Sequence, residues 1–325
     1  MSEKYFNWGI IGTGGIANAF SLDIKYLENH RIYAVLSRSI DTAKSFSSDI
    51  PNCTAYDDVD LFLNNSDVDA VYIATPNNLH CDQTVKALNA GKPVLCEKPF
   101  SISKKESELM VAASNENNVA LLEGMWTRYL PHIRNIQTII TDGIIGDIES
   151  LSAFHHQNLS GVNNPRLWTK ELGGGSLLDL GIYVISFAHM ILGSPDEIKA
   201  SASFTDKGVD SKASIVFKYN DSSMATLSCS MIDSMPNRAI ISGTNGYIDI
   251  SPTFYAPTSF RVCTKDGATT EYPNEYVGHG LREQALELEK CVKNNAIESN
   301  IFPHTEMLQV MGLMDEIRSI IGLKF

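Results

Sequence analysis

Apolar and polar positions follow one texture up to about residue 123 and another beyond it. In the first part, short apolar runs give way repeatedly to stretches with apolar residues three or four apart, the spacings of buried strands and amphipathic helices. The first run ends at Gly12 and turns helical after two more glycines, Gly14 and Gly15. Strands are predicted over 31–36, 68–74, 92–96 and 119–123, with helices over 41–48, about 60–64, 80–88 and 103–115. Such alternation calls for a parallel sheet, because a parallel neighbour is reached only by a crossover.

Beyond 123 a helix follows Trp126-Thr127-Arg128-Tyr129-Leu130-Pro131 and runs to about Asp142. Strand-like stretches then dominate, at 149–157, 198–205, 213–219, 223–231, 238–242, 246–250 and 259–264, with turns such as Asn220-Asp221 and Asn245-Gly246 between them. This texture predicts a mostly antiparallel sheet. One apolar helix interrupts it, following Gly173-Gly174-Gly175-Ser176 and reaching about Leu192, and helices over 281–293 and 304–321 close the chain.

The stretch around Gly12 carries the first candidate chemistry. Gly12, Gly14 and Ala17 fill the three small-residue positions of a dinucleotide fingerprint, which serve a tight turn, close approach to a pyrophosphate, and helix–strand packing. Gly15 and Ile16 complete the turn, and the amide groups at the helix start would face the phosphates. The second strand ends in Ser37-Arg38-Ser39 without the acidic residue that bonds the ribose of NAD. Arg38 would instead receive the extra phosphate of NADP; the alternative is a solvated loop arginine. Thr75-Pro76-Asn77 and Glu97-Lys98-Pro99 stand at later strand ends, where ligands sit in open α/β sheets. His80, at a helix start, is read as satisfying a cap or the loop before a catalytic group. The architecture expected is α/β: a Rossmann domain over 1–123, then an α+β domain over 124–325 with a large, mostly antiparallel, open-faced sheet.

Asp179 and Tyr183 are four apart on the glycine-led helix and so share a face. A phenol with a pKa of about 10 is a poor base at neutral pH, and a nearby ammonium such as that of Lys98 favours its ionised form. Tyr183 would exchange a proton with a hydroxyl or carbonyl as hydride moves, with Asp179 orienting the substrate or the lysine. The competing reading makes Tyr183 a core aromatic, and His189 on the same helix reads as a packing histidine.

Composition narrows the partners. A net charge of -12 on 325 residues disfavours nucleic acid and anionic membranes, so a small-molecule substrate is expected. Six scattered cysteines without a Cys-x-x-Cys pair suggest reduced thiols and no metal site. The first five residues lack the profile of a signal peptide, and no run approaches membrane-spanning length, so a cytoplasmic protein is expected.

The fingerprint ending in Ala17, Glu97-Lys98-Pro99, the helix from Gly173 to Tyr183, Gly278-His279-Gly280-Leu281 and His304-Thr305-Glu306 together resemble the Gfo/Idh/MocA oxidoreductase family over nearly the whole chain. Many members have histidine at the position of Tyr183. Tyrosine there, with Trp126-Thr127-Arg128-Tyr129, is similar to the branch holding dimeric dihydrodiol dehydrogenases, NADP-dependent D-xylose dehydrogenases and glucose-fructose oxidoreductase. The resemblance implies Lys98 and Tyr183 as a catalytic pair and Gly12, Gly14, Arg38 and Pro76 as cofactor contacts; Asp179 stands beside the pair as a further catalytic candidate, and Gly15, Ile16, Ala17, Ser37, Thr75, Asn77, His80, Glu97 and Lys98 as further cofactor candidates. It implies NADP, with NAD as the other possibility, and a homodimer or homotetramer through the open sheet face. Trp126, Arg128, Arg166 and Trp168 stand as substrate candidates; Arg166, Trp168 and His156 read equally well as packing or surface residues. The activity expected is hydride transfer to or from a sugar or polyol. Dihydrodiols or dicarbonyls are the alternative substrates, and a non-catalytic NADP-binding regulator is the alternative of another class.

Overall fold

The computed structural model describes residues 5–324, so the expectation about the start of the chain falls mostly outside it. Six strands form the first sheet: β1 (Phe6–Ile11), β2 (His30–Leu36), β3 (Thr54–Tyr56), β4 (Ala70–Ile73), β5 (Val94–Glu97) and β6 (Leu121–Gly124). Between them lie α1 (Gly15–Ile24), α2 (Ile40–Ser47), α3 (Val59–Leu63), α4 (His80–Asn89) and α5 (Lys104–Asn117). All pairings are parallel, in the order β3-β2-β1-β4-β5-β6. The order reverses at β1, whose six residues are all buried between its neighbours and the covering helices. Ile11 stands level with Leu36 on one side and with Ile73 on the other, so the carboxyl ends of β1, β2 and β4 form one rim.

After the short turn Trp126–Tyr129 come α6 (Pro131–Thr141), β7 (Ile148–His156), the one-turn α7 (Pro165–Trp168), a π-type turn (Leu177–Gly181) and α8 (Ile182–Leu192). Seven further strands follow: β8 (Glu197–Phe204), β9 (Asp210–Lys218), β10 (Met224–Ser230), β11 (Ala239–Gly243), β12 (Gly246–Ile250), β13 (Phe260–Thr264) and β14 (Thr269–Tyr272). The sheet runs β14-β13-β12-β11-β7-β10-β9-β8 and is antiparallel except where β10 meets β7. The α8 segment packs on β7 and β10, and every residue from Leu177 to His189 is buried. Alternate residues such as Ser150, Ser152 and Thr226 point to the opposite, uncovered face.

The chain ends in α9 (Arg282–Lys293) and α10 (His304–Ile321). One compact unit runs to Trp126 and takes back Gly278–Leu308; the other comprises Thr127–Val277 and the chain from Gln309. The expected boundary at 123 lies close to the first crossing, but the return of 278–308 divides what the sequence presents as one second domain. Asp23 on α1 accounts for that return. Its carboxylate accepts from the backbone N–H groups of His279, Gly280 and Arg282 at 2.8, 3.0 and 2.9 Å, and α9 packs on α1, β5 and β6.

Two short strands escaped the sequence reading: β3 has three residues, and the Thr-Thr-Glu-Tyr of β14 lacks a buried apolar alternation. The expectation that no run is long and apolar enough to span a membrane also needs correction. The helical stretch Lys170–Leu192 is, by length and composition, but 83% of its most apolar window is buried against the strands of its own unit. A helix apolar all round is what a core position demands.

One buried titration follows from this packing. Burial pushes His132 on α6 down to about 4, against a hydrogen bond with the Phe254 backbone. The unfolded chain therefore binds the proton first, and stability is lost as pH falls from about 6.5 towards 4. His132→Gln should flatten this acid limb: the drop in urea midpoint between pH 7 and pH 5 should shrink relative to wild type, and an equal drop would show that His132 is not the group responsible.

Candidate active site

In the first unit, the rim of strand ends carries the residues expected at a cofactor. Gly12 follows β1 with φ +104°, a conformation that favours glycine, and a Cβ there would meet the Ala74 carbonyl at 2.6 Å. Its N–H donates to the Leu36 carbonyl at 2.9 Å, tying the ends of β1 and β2. Gly14 and Gly15 differ: a Cβ on either would meet nothing within 4 Å. Protein packing therefore does not demand glycine at those positions, whereas a phosphate seated on the backbone would. The amino end of α1 has no side-chain cap and no acid in its first turn, so its N–H groups and positive dipole end suit an anion. Ala17 is fully buried and packs α1 on the sheet, and Ile16 precedes it half-buried.

The neighbouring loops are tied to one another. Ser37 donates its N–H to Tyr56, which leaves Arg38 next in line, exposed and without an ion pair among the described residues. The Thr75 hydroxyl bonds Gln83 at 2.6 Å, and Asn77 is buried after Pro76. The two ring nitrogens of His80 lie 2.9 Å from the carbonyls of Thr75 and Pro99, so this buried ring links the loop after β4 to the loop that bears Lys98. Glu97 accepts from the Tyr72 hydroxyl and, at 3.2 Å, from the N–H of Lys98. Lys98 is half-buried, and its peptide bond to Pro99 is cis. Trp126, also in this unit, is buried with its ring 5.0 Å from that of His279.

In the second unit, Asp179 on the π-type turn is bonded to Arg166 at 3.0 Å, and Tyr183 follows in the first turn of α8. Two other rings pack on Tyr183: His155 edge-on at 5.0 Å and Tyr255 at 4.9 Å. The glycine run ahead of the helix has its own cause. Asp210 accepts from the Ser176 hydroxyl at 2.6 Å and from the Leu177 N–H at 2.7 Å, while Gly175 sits at φ +115° with the site of a Cβ only 2.2 Å from Asp210 Oδ1. Burial raises the Asp210 pKa, in opposition to these bonds.

Several sequence candidates take other places. Arg128 is buried, donating to the Ser186 hydroxyl and carbonyl at 2.9 and 3.0 Å and lying 3.3 Å from His189 Nδ1, so it grips α8. His189 also meets Gln309 at 3.0 Å, as a packing histidine would. Trp168 packs on the cluster of Leu167, Leu180, Ala213, Cys229 and Met231. His156 bonds Asp233 and Ser228 at 2.6 and 2.8 Å, and strand alternation turns it away from the face that His155 shares with Tyr183. Sequence reasoning missed His155, Tyr255 and Asp210; the period of β7 could have found His155, but nothing local marks the other two.

Comparison with known proteins places this geometry. The model of an oxidoreductase family with an NAD-binding Rossmann fold, Gfo/Idh/MocA, matches residues 6–125, and that of the Gfo/Idh/MocA C-terminal domain matches residues 133–249. The chain belongs to the Gfo/Idh/MocA family and is an NAD(P)-binding oxidoreductase. It is 32% identical over 330 residues to the trans-1,2-dihydrobenzene-1,2-diol dehydrogenase of Danio rerio, spanning 98% of this chain and 97% of that protein. With the Homo sapiens protein of the same name it is 29% identical over 332 residues, with 98% and 97% covered. Among solved structures, levoglucosan dehydrogenase with NADH and levoglucosan superposes with a TM-score of 0.88 at 21% identity, over 98% of each chain. A 3-ketoreductase from Actinomadura kijaniata, with NADP and TDP-benzene, gives 0.86 at 24% identity, again over 98% of each. At these identities the two structures speak for the fold.

The close approach at Gly175 has a measurable consequence. Gly175→Ala should destabilise the protein by about 2 kcal/mol or more, because the added methyl must displace a buried carboxylate at a positive φ. Urea unfolding reads the loss, and an unchanged midpoint would mean that the Asp210 contact yields freely.

Proposed function

We propose that the chain is an NADP-preferring dehydrogenase or reductase acting on a CH–OH carbon of a sugar, polyol or related diol, with Tyr183 as the proton-transfer group. The observation that carries this reading is the placement of Asp179 and Tyr183 four residues apart in a buried, mostly apolar helical run. A core helix gains nothing from a carboxylate and a phenol unless they bond or react. When bound, the nicotinamide supplies or accepts the hydride. Tyr183 Oη takes the proton of the alcohol as its carbon is oxidised, or returns a proton to the carbonyl oxygen in reduction. A nearby ammonium would favour the ionised phenol, which is the part that the family resemblance gives Lys98. Asp179, held by Arg166, accepts a hydrogen bond from the substrate and fixes its orientation.

The amino end of α1 receives the pyrophosphate, and Arg38 pairs with the extra phosphate of NADP. Support for the substrate class comes from relatives named for a dihydrodiol, and for the cofactor from a fold neighbour solved with NADP. The uncovered face of the eight-stranded sheet joins copies of the chain into a homodimer or homotetramer, and the protein acts in the cytoplasm.

Two measurements test the reading. Tyr183→Phe should lower turnover of sugars, polyols and diols by about a hundredfold or more, the range supplied by an acid–base group, with NADPH affinity retained. Comparable turnover would remove Tyr183 from the mechanism, and tight NADPH binding by the wild type without any turnover would favour the regulator. In fluorescence titrations, Arg38→Ala should weaken NADPH by about tenfold and leave NADH nearly unchanged, since only NADPH offers the phosphate for a charge-assisted bond. Equal losses would make Arg38 structural.

A further inference from the structure

The rings beside Tyr183 are joined by a side chain that the roles above do not use. Gln157 lies one residue beyond β7, and its backbone N–H still bonds the Ser230 carbonyl of β10 at 2.9 Å. Its side-chain nitrogen is 2.9 Å from His155 Nε2 and 2.6 Å from the Tyr255 hydroxyl. His155 and Tyr255 are themselves stacked at 3.9 Å, and both rings touch Tyr183. The amide thus bridges the polar edges of two of the three rings.

A carboxamide has two N–H donors and one carbonyl acceptor. Both donors are engaged here, with His155 Nε2 and the Tyr255 oxygen as their acceptors. The remaining atom, Gln157 Oε1, has no partner among the described residues, and Gln157 is only half-buried. Its orientation is set by the two bonds on the other end of the amide. The result is a fixed acceptor on the flank of the Tyr183 cluster.

We infer that Gln157 Oε1 is a specificity determinant: it accepts a hydrogen bond from a second hydroxyl of the substrate, beyond the one that reacts. This rests on Tyr183 as the proton-transfer group. A vicinal diol or a sugar supplies the donor. A mono-alcohol leaves the acceptor unbonded, and a dicarbonyl sets its second oxygen against Oε1, lone pair to lone pair. Sites built to bond a hydroxyl discriminate against analogues that lack it, because the site's own polar group is left unpaired. Between the substrate classes open to this protein, the acceptor favours polyols and diols over dicarbonyls.

The test compares trans-cyclohexane-1,2-diol with cyclohexanol, each titrated by ligand-observed NMR into protein saturated with NADP. The wild type should prefer the diol by about tenfold, within the range of one hydrogen bond to a preset acceptor. Gln157→Leu should erase the preference, and Gln157→Glu should weaken it, because a carboxylate has no N–H to bond His155 and Tyr255 and so is not held in place. Thermal unfolding of both variants checks that the fold is kept. An equal preference in wild type and Gln157→Leu overturns the assignment, as does a wild type that binds both alcohols alike or neither. Tyr183→Phe separates the two readings: it should lose turnover and keep the diol preference. If it keeps turnover while Gln157→Leu still loses the preference, the proton-transfer role falls and the recognition role stands.

Discussion

A buried carboxylate at the start of an apolar helix is the contact on which the second unit depends. The helical run through α8 is enclosed along its length, so the N–H groups at its amino end have no water to bond and need an acceptor from the protein. Asp210, the first residue of β9, supplies it through Leu177 and takes the Ser176 hydroxyl as well. The approach is so close that a side chain at residue 175 would have to displace the Asp210 carboxylate. Asp179 and Tyr183 are then placed by counting: four and eight residues from the anchored glycine, on a backbone that has no freedom to turn. Lower on the same helix, Arg128 grips Ser186 and lies against His189, so the segment is held at both ends.

The first unit solves a different problem, which is to hold several loops still without burying them. Each loop at the rim leaves a parallel strand whose register is set by its neighbours, and each is then tied sideways: Gly12 to Leu36, Ser37 to Tyr56, and Thr75 and Pro99 through His80. Such ties are worth more than their individual energies, because they remove the loop entropy that a ligand would otherwise have to overcome on binding. Lys98 is fixed by the same means. Its backbone bonds the Glu97 carboxylate, whose other oxygen is held by Tyr72 from the next strand.

Features with local causes were legible in the sequence, and those that depend on distant partners were not. The alternation of strands and helices, the fingerprint glycines, Lys98 at a strand end and the spacing of Asp179 from Tyr183 all follow from periods and from turn chemistry. The return of 278–308 to the first unit does not, because it hangs on Asp23, an unremarkable acid on α1 more than two hundred and fifty residues earlier. Arg128 illustrates the same limit: beside Trp126 in sequence it looks like a substrate residue, yet in the fold its guanidinium belongs to α8. The choice between His155 and His156 turns on strand parity alone. A one-residue shift exchanges the two faces of β7, and only the pairing with β10 and β11 settles which histidine meets Tyr183.

The overall charge sharpens what the cofactor site must do. A chain of net charge -12 repels an anionic dinucleotide at a distance, yet at physiological ionic strength that field is screened beyond about 8 Å. Attraction must therefore come from groups in contact with the phosphates, and the groups proposed for that contact are of a kind that the acidic surface does not cancel. The amide groups of α1 carry partial charge fixed in the backbone, with no acid in the first turn to neutralise them. Arg38 is free of any acidic partner among the described residues, and the neighbouring positions are serines. An acid in place of either serine would compete for the guanidinium. A cation left unsatisfied in the protein is what the proposed phosphate contact requires.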